Sequence, residues 1–130
     1  MEEESRSKKL KALLKSSQAN GSAWPDRPQD LDQAQYEQVM GKYPLIVLDF
    51  WAVRCQPCRV MAPLMDQLAA EYQNRVFFGK VNTDENIGLA NKLGIRNIPA
   101  FWIFKNAKLV DTAEGIIPKV QFKSLIEKHL

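Results

Sequence analysis

The sequence predicts a mixed α/β layer fold. Apolar runs of strand length alternate with stretches of helical periodicity from Leu31 onward, and turn residues separate them. A length of 130 residues suits one domain, and 45% apolar with 25% charged residues supports a real core rather than general disorder.

Residues 1–19 suit a short amphipathic helix. Leu10, Leu13 and Leu14 recur at i, i+3, i+4 spacing, with Lys8, Lys9, Lys11 and Lys15 around them. Three leucines are too small a stripe to fold alone. Residues 20–30, NGSAWPDRPQD, are dense in turn formers and read as a linker. Trp24 is the exception, an apolar ring costly to leave in water, and is expected to pack on the domain. Residues 1–25 are therefore expected to be an N-terminal extension and residues 26–130 the folded domain.

Residues 31–40 suit a short helix. Leu45–Trp51, LIVLDFW, has the continuous apolar character of a strand buried on both faces, interrupted by Asp49. Residues 57–72 have helical periodicity at Met61, Leu64, Met65, Leu68 and Ala69. Pro57 opens that helix and Pro63 is expected to kink it. Residues 76–81 read as a second strand, and residues 86–93 as a short helix that Gly94 ends. AFWIF at 100–104 is a third strand, residues 105–108 a turn and residues 109–113 a fourth strand. Residues 118–130 close the chain as a helix, with Pro118 in its first turn and Val120, Phe122, Leu125 and Ile126 on its apolar face. From Leu45 the order is β-α-β-α-β-β-α, without internal repeat.

Charge and composition exclude several function classes. Eighteen Lys+Arg against fifteen Asp+Glu leave +3, without the basic bias of a nucleic-acid binder. Two cysteines cannot frame a disulfide-rich fold, and one histidine disfavours a His-rich metal site or a Ser-His-Asp triad. No apolar run approaches the roughly 18 residues that span a bilayer. The N-terminal stretch is acidic and then basic, without the apolar core of a signal peptide. The expectation is a cytoplasmic monomer that contacts neither membrane nor nucleic acid. In that setting close-spaced cysteines read as redox or metal chemistry.

Cys55-Gln56-Pro57-Cys58 follows a strand and opens a helix. Backbone N–H groups of a first helical turn lack intrahelical acceptors and favour an anion, so a thiolate is stabilised there. The i, i+3 spacing brings both sulfurs to one face, close enough for a disulfide. Cys55 precedes the helix and is expected to be the more exposed, hence the attacking sulfur; Cys58 is expected to be shielded and to resolve the mixed disulfide. The competing reading is half of a zinc site. It supplies two ligands where tetrahedral zinc takes four, and His129 has no partner cysteine nearby, so no metal is expected. Met40, Met61, Met65 and Trp102 read as core, and His129 as having no chemical role.

FWAVRCQPCRVMAPLMDQLAAEY resembles the active-site strand, turn and helix of the thioredoxin family. The resemblance continues through GKVNTDEN and LANKLGIRNIPAFWIFKNAKLV to the closing helix. It covers residues 45–130 well, 28–44 loosely and the first 25 not at all. It implies a thioredoxin fold, a central mixed sheet flanked by helices on both faces. It also implies dithiol–disulfide exchange on protein disulfides, with no bound cofactor and with electrons from a thioredoxin-reductase-like donor. Asp49 matches the family's buried carboxylate, a proton acceptor for Cys58, and Lys80 the lysine near it. Pro99 matches the cis-proline opposite the disulfide, with the Ile98 backbone presenting substrate. Trp51 matches an aromatic beside the site, Gln56 and Pro57 the residues between the cysteines, and Gly115 a glycine that lets substrate approach. An Asp inside an apolar strand is also desolvated, which independently raises its pKa.

Four residues depart from the family pattern. Arg54 stands for the usual Trp, Gln56 for the Gly of CGPC, Ala100 for a Thr and Ala107 for a turn Gly. Arg54 and Arg59 flank the pair and are expected to hold the Cys55 thiol below its ordinary value of about 8.5. Three functions fit the sequence: a general disulfide reductase, a specialised redox adaptor docked through the N-terminal extension, and a non-catalytic binding module on the same fold.

Overall fold

The computed structural model of the protein describes residues 23–130, and the helix expected over residues 1–19 lies outside them. The elements run β1 (Gln29–Asp30), α1 (Gln33–Met40), β2 (Leu45–Trp51), α2 (Gln56–Glu71), β3 (Phe77–Asn82), α3 (Ile87–Leu93), β4 (Ala100–Lys105), β5 (Lys108–Glu114) and α4 (Lys119–Glu127). The strands form one mixed sheet in the order β1-β3-β2-β4-β5. The most apolar strand, β2, lies at the centre. It pairs in parallel with β3, Asp49 opposite Lys80, and antiparallel with β4, Asp49 opposite Phe101.

Strand alternation divides the core in two. Leu45 and Val47 face a cluster with Met61, Met65 and Leu68 of α2 and Phe122 and Ile126 of α4. Ile46, Leu48 and Phe50 face the other cluster, with Val39 of α1 and Leu89 and Ala90 of α3. Helices therefore cover both faces. Met61 and Met65 are core, and Met40 and Trp102 are half-buried against the second cluster. On that side Gly79 leaves room for Leu31 and Leu48, whose methyls lie 2.7 and 2.8 Å from where a Cβ would stand.

Three expectations are corrected. Residues 20–30 are not linker throughout. Gln29 and Asp30 pair in parallel with Gly79 and Lys80, and the Leu31 amide extends the pairing to the Lys80 carbonyl at 2.8 Å. The open edge of β3 recruits them, which a two-residue polar strand does not announce. For the same reason α1 starts after Leu31, where Asp32 and Gln35 form a reciprocal capping box. Pro118 caps α4 from outside, its ψ of 149° being extended rather than helical, and the helix ends at Glu127. Pro63 lies inside α2, which continues past it to Glu71. Trp24 packs edge-on against Tyr43 at 4.9 Å.

Candidate active site

The redox turn is built by the end of β2 and the start of α2. The Cys55 amide donates to the Ala52 carbonyl at 3.2 Å, and the Cys55 carbonyl accepts the Arg59 amide at 3.2 Å. Cys55 is thus the N-cap of α2, and its Sγ accepts the Cys58 N–H at 3.2 Å, the position usually filled by a Ser or Asp oxygen. Pro57 sits in the first turn, where no amide donor is needed. Cys55 and Cys58 are joined as a disulfide with Cα atoms 5.2 Å apart. Cys55 is half-buried while Cys58 is 3% exposed, the asymmetry expected of an attacking and a resolving sulfur.

Alternation along β2 puts Asp49 on the same sheet face as Val47, the face covered by α2. Asp49 is 2% exposed, and its Oδ1 has no hydrogen-bond partner. Burial pushes its pKa up to about 7 against the smaller opposing pull of Lys80. Lys80 is its cross-strand neighbour, yet no ion pair joins them among the described residues. The Lys80 ammonium lies over the Trp51 ring, 4.5 Å from its centroid. The Trp51 Nε1–H is also buried without a partner.

The third wall comes from the starts and ends of β4 and β5. The Ile98–Pro99 bond is cis, and the Gly115 N–H donates to the Pro99 carbonyl at 2.9 Å. Gly115 has φ +83, a left-handed conformation open to glycine, and no atom lies within 4 Å of a Cβ built there. Ala100 is opposite Phe50 on β2 and Glu114 on β5, so Pro99 and Gly115 lie at the end of β2 that leads into the cysteine turn. Val53 and Ile116, both more than half exposed, add apolar surface. The topology thus gathers Trp51, Cys55, Gln56, Pro57, Cys58, Ile98, Pro99 and Gly115 at one pole, with Asp49 and Lys80 deeper in the sheet.

Two features escaped the sequence reading. Asn82 is buried at the end of β3, and its Oδ1 accepts the Asp84 and Glu85 amides at 2.9 and 3.3 Å. The run Asn-Thr-Asp carries that Asx-turn signal. The other is a side-chain contact between Gln56 and Arg59, for which their i, i+3 spacing at the start of α2 is the available signal. Among the described residues no three His, Cys, Asp or Glu side chains converge as metal ligands.

A family model described as Thioredoxin matches residues 27–128. Thioredoxin 1 of Synechococcus elongatus is 46% identical over 85 residues, 65% of this chain and 79% of the relative. The thioredoxin of Synechocystis sp. is 41% identical over 103 residues, 79% of this chain and 96% of the relative. A solved mutant thioredoxin from Halobacterium salinarum superimposes with a TM-score of 0.78 at 29% identity, over 84% of this chain and 96% of that one. Its redox turn, its cis-proline and these relatives agree, and the chain belongs to the thioredoxin family of thiol–disulfide oxidoreductases.

Proposed function

We propose that the protein reduces protein disulfides with Cys55 attacking and Cys58 resolving. The observation that carries this assignment is the capping geometry: the sulfur of the half-buried Cys55 accepts a helix N-terminal amide while Cys58 is buried. The Cys55 thiolate bonds to one substrate sulfur, and the other leaves as a thiolate. The Cys58 thiol gives its proton to Asp49, and its sulfur attacks Cys55, re-forming the disulfide and releasing the second substrate thiol. Two electrons pass from the dithiol to the substrate. A carboxyl held at about 7 is poised for that proton near neutral pH, and Lys80 favours its ionised form.

Pro99 and Ile98 present an extended substrate segment beside the sulfurs, Gly115 admits it, and Trp51, Gln56 and Pro57 shape the floor. A thioredoxin-reductase-like donor returns electrons to the Cys55–Cys58 disulfide, and a reducing compartment, the cytoplasm, is the setting in which that cycle runs. Insulin reduction driven by dithiothreitol tests the reading. Wild type accelerates it, Cys55→Ser abolishes it, and Cys58→Ser accumulates mixed disulfides. An inactive wild type would overturn the assignment.

A further inference from the structure

Arg59, in the first turn of α2, folds back over the redox turn. Its Nη1 donates to the Val53 carbonyl at 2.7 Å and its Nη2 to Gln56 Oε1 at 2.6 Å. Val53 lies two residues before Cys55 and Gln56 one after it, so a single guanidinium is tied to both sides of that cysteine. The group is planar, always charged and forked, suited to gripping two acceptors at once. A glycine in place of Gln56 would offer no side-chain acceptor, so this grip depends on the residue by which the chain departs from CGPC.

We propose that Gln56 and Arg59 are positioning residues, a clamp that fixes residues 53–56 and holds a cation beside the Cys55 sulfur in the dithiol form. The inference rests on the reading of Cys55 as attacking nucleophile. The charged groups on the surrounding elements are Arg54 on the same turn, Asp49 on β2, Lys80 on β3, Arg96 before Pro99 and Glu114 at the end of β5, with Asp30, Asp32 and Glu85 lining a pocket beside Val53 and Trp51. Lys80 lies over Trp51, and Glu114 accepts from Asn97. Among the described residues only Arg59 is held by side-chain hydrogen bonds to the residues bracketing Cys55. A cation fixed there favours thiolate over thiol. It thereby stabilises the dithiol form relative to the disulfide, which makes the protein a milder reductant. Bond making and electron flow are otherwise those described above.

The test compares reduced wild type with Gln56→Gly, Arg59→Met and Arg59→Lys. Iodoacetamide alkylation of Cys55 is followed by mass across pH, and each protein is equilibrated with glutathione. Arg59→Met is expected to move the alkylation midpoint to higher pH and to slow the reaction on its acid side about five-fold, the effect of one nearby cation in water. Gln56→Gly keeps the charge but releases it, so a smaller shift in the same direction is expected. Arg59→Lys also gives a partial shift, because an ammonium does not reproduce the fork. Loss of a merely structural contact lowers the melting temperature and leaves the midpoint in place. An Arg59→Met profile superimposable on wild type overturns the proposal. So does a Gln56→Gly profile identical to wild type, because the charge then needs no anchor. Alkylation requires no protein substrate, so this outcome is separate from that of insulin reduction.

Discussion

The two ends of β2 obey different rules. At its start, Tyr43 stacks on Phe77 at 4.3 Å and receives the edge of Trp24. The Trp24 amide donates to Asn74 Oδ1, its carbonyl accepts from Gln73, and the Asn106 amide donates to the Pro44 carbonyl. Apolar surface is covered there and these backbone groups are paired. At the other end the strand carries a buried carboxyl with an orphan oxygen, an indole N–H without a partner, and the turn to a reactive disulfide. Unpaired buried polar groups cost stability, and they gather where the chemistry is. The aromatic pole and the two-sided core supply the stability that the redox pole consumes.

Truncation at the first pole should therefore destabilise, and neutralising the second should do the reverse. Phe77→Ala removes a buried ring from the aromatic stack and is expected to cost about 3–5 kcal/mol in urea unfolding. A loss well under that range would mean that this end is not the anchor described.

Asp49→Asn should stabilise, with a sign set by pH. The folded carboxyl titrates at about 7 and the unfolded one near 3.8, so between those values the folded state holds the extra proton. Stability of the wild type therefore falls as pH rises through that window and levels off above about 7. The variant lacks this loss. Its advantage should be absent near pH 4 and grow to at most about 4 kcal/mol above neutrality. Equal stability of the two proteins at alkaline pH would remove the contrast between the poles.

The smallest effect tests an exception. In the β4–β5 turn, at the aromatic pole, Asn106 and Ala107 both have positive φ, 52° and 67°. Such a turn prefers glycine at its second position. Ala107→Gly should gain about 0.5 kcal/mol and leave disulfide reduction unchanged. If the variant loses activity, strain at this end has a use after all.

Much of this was legible in the sequence. Leu45–Trp51 was bounded to the residue because an apolar run ending at a turn has sharp limits, and Gly94 ends α3 in the left-handed conformation that its position suggested. The spacing and placement of Cys55 and Cys58 forecast their unequal exposure, and Asp49 stood out as a charge inside an apolar strand. The remainder depended on partners distant in sequence or on rotamers. Gln29 and Asp30 become a strand only because β3 offers an edge. Lys80 was expected near Asp49 and does lie across from it, but its ammonium settles over Trp51. The i, i+3 spacing of Gln56 and Arg59 permits their contact, but the Arg59 bond back to the Val53 carbonyl depends on how one side chain folds, which no periodicity encodes.

The short strand β1 has a consequence for the company the protein keeps. A sheet edge is a template on which foreign chains can add, and one edge of this sheet would otherwise be β3, which opens with two phenylalanines. Gln29 and Asp30 occupy the middle of that edge, opposite Gly79 and Lys80, and Pro28 just before them has no amide to offer a newcomer. A segment with the composition of a spacer thus blocks the middle of an edge on which another strand could otherwise pair.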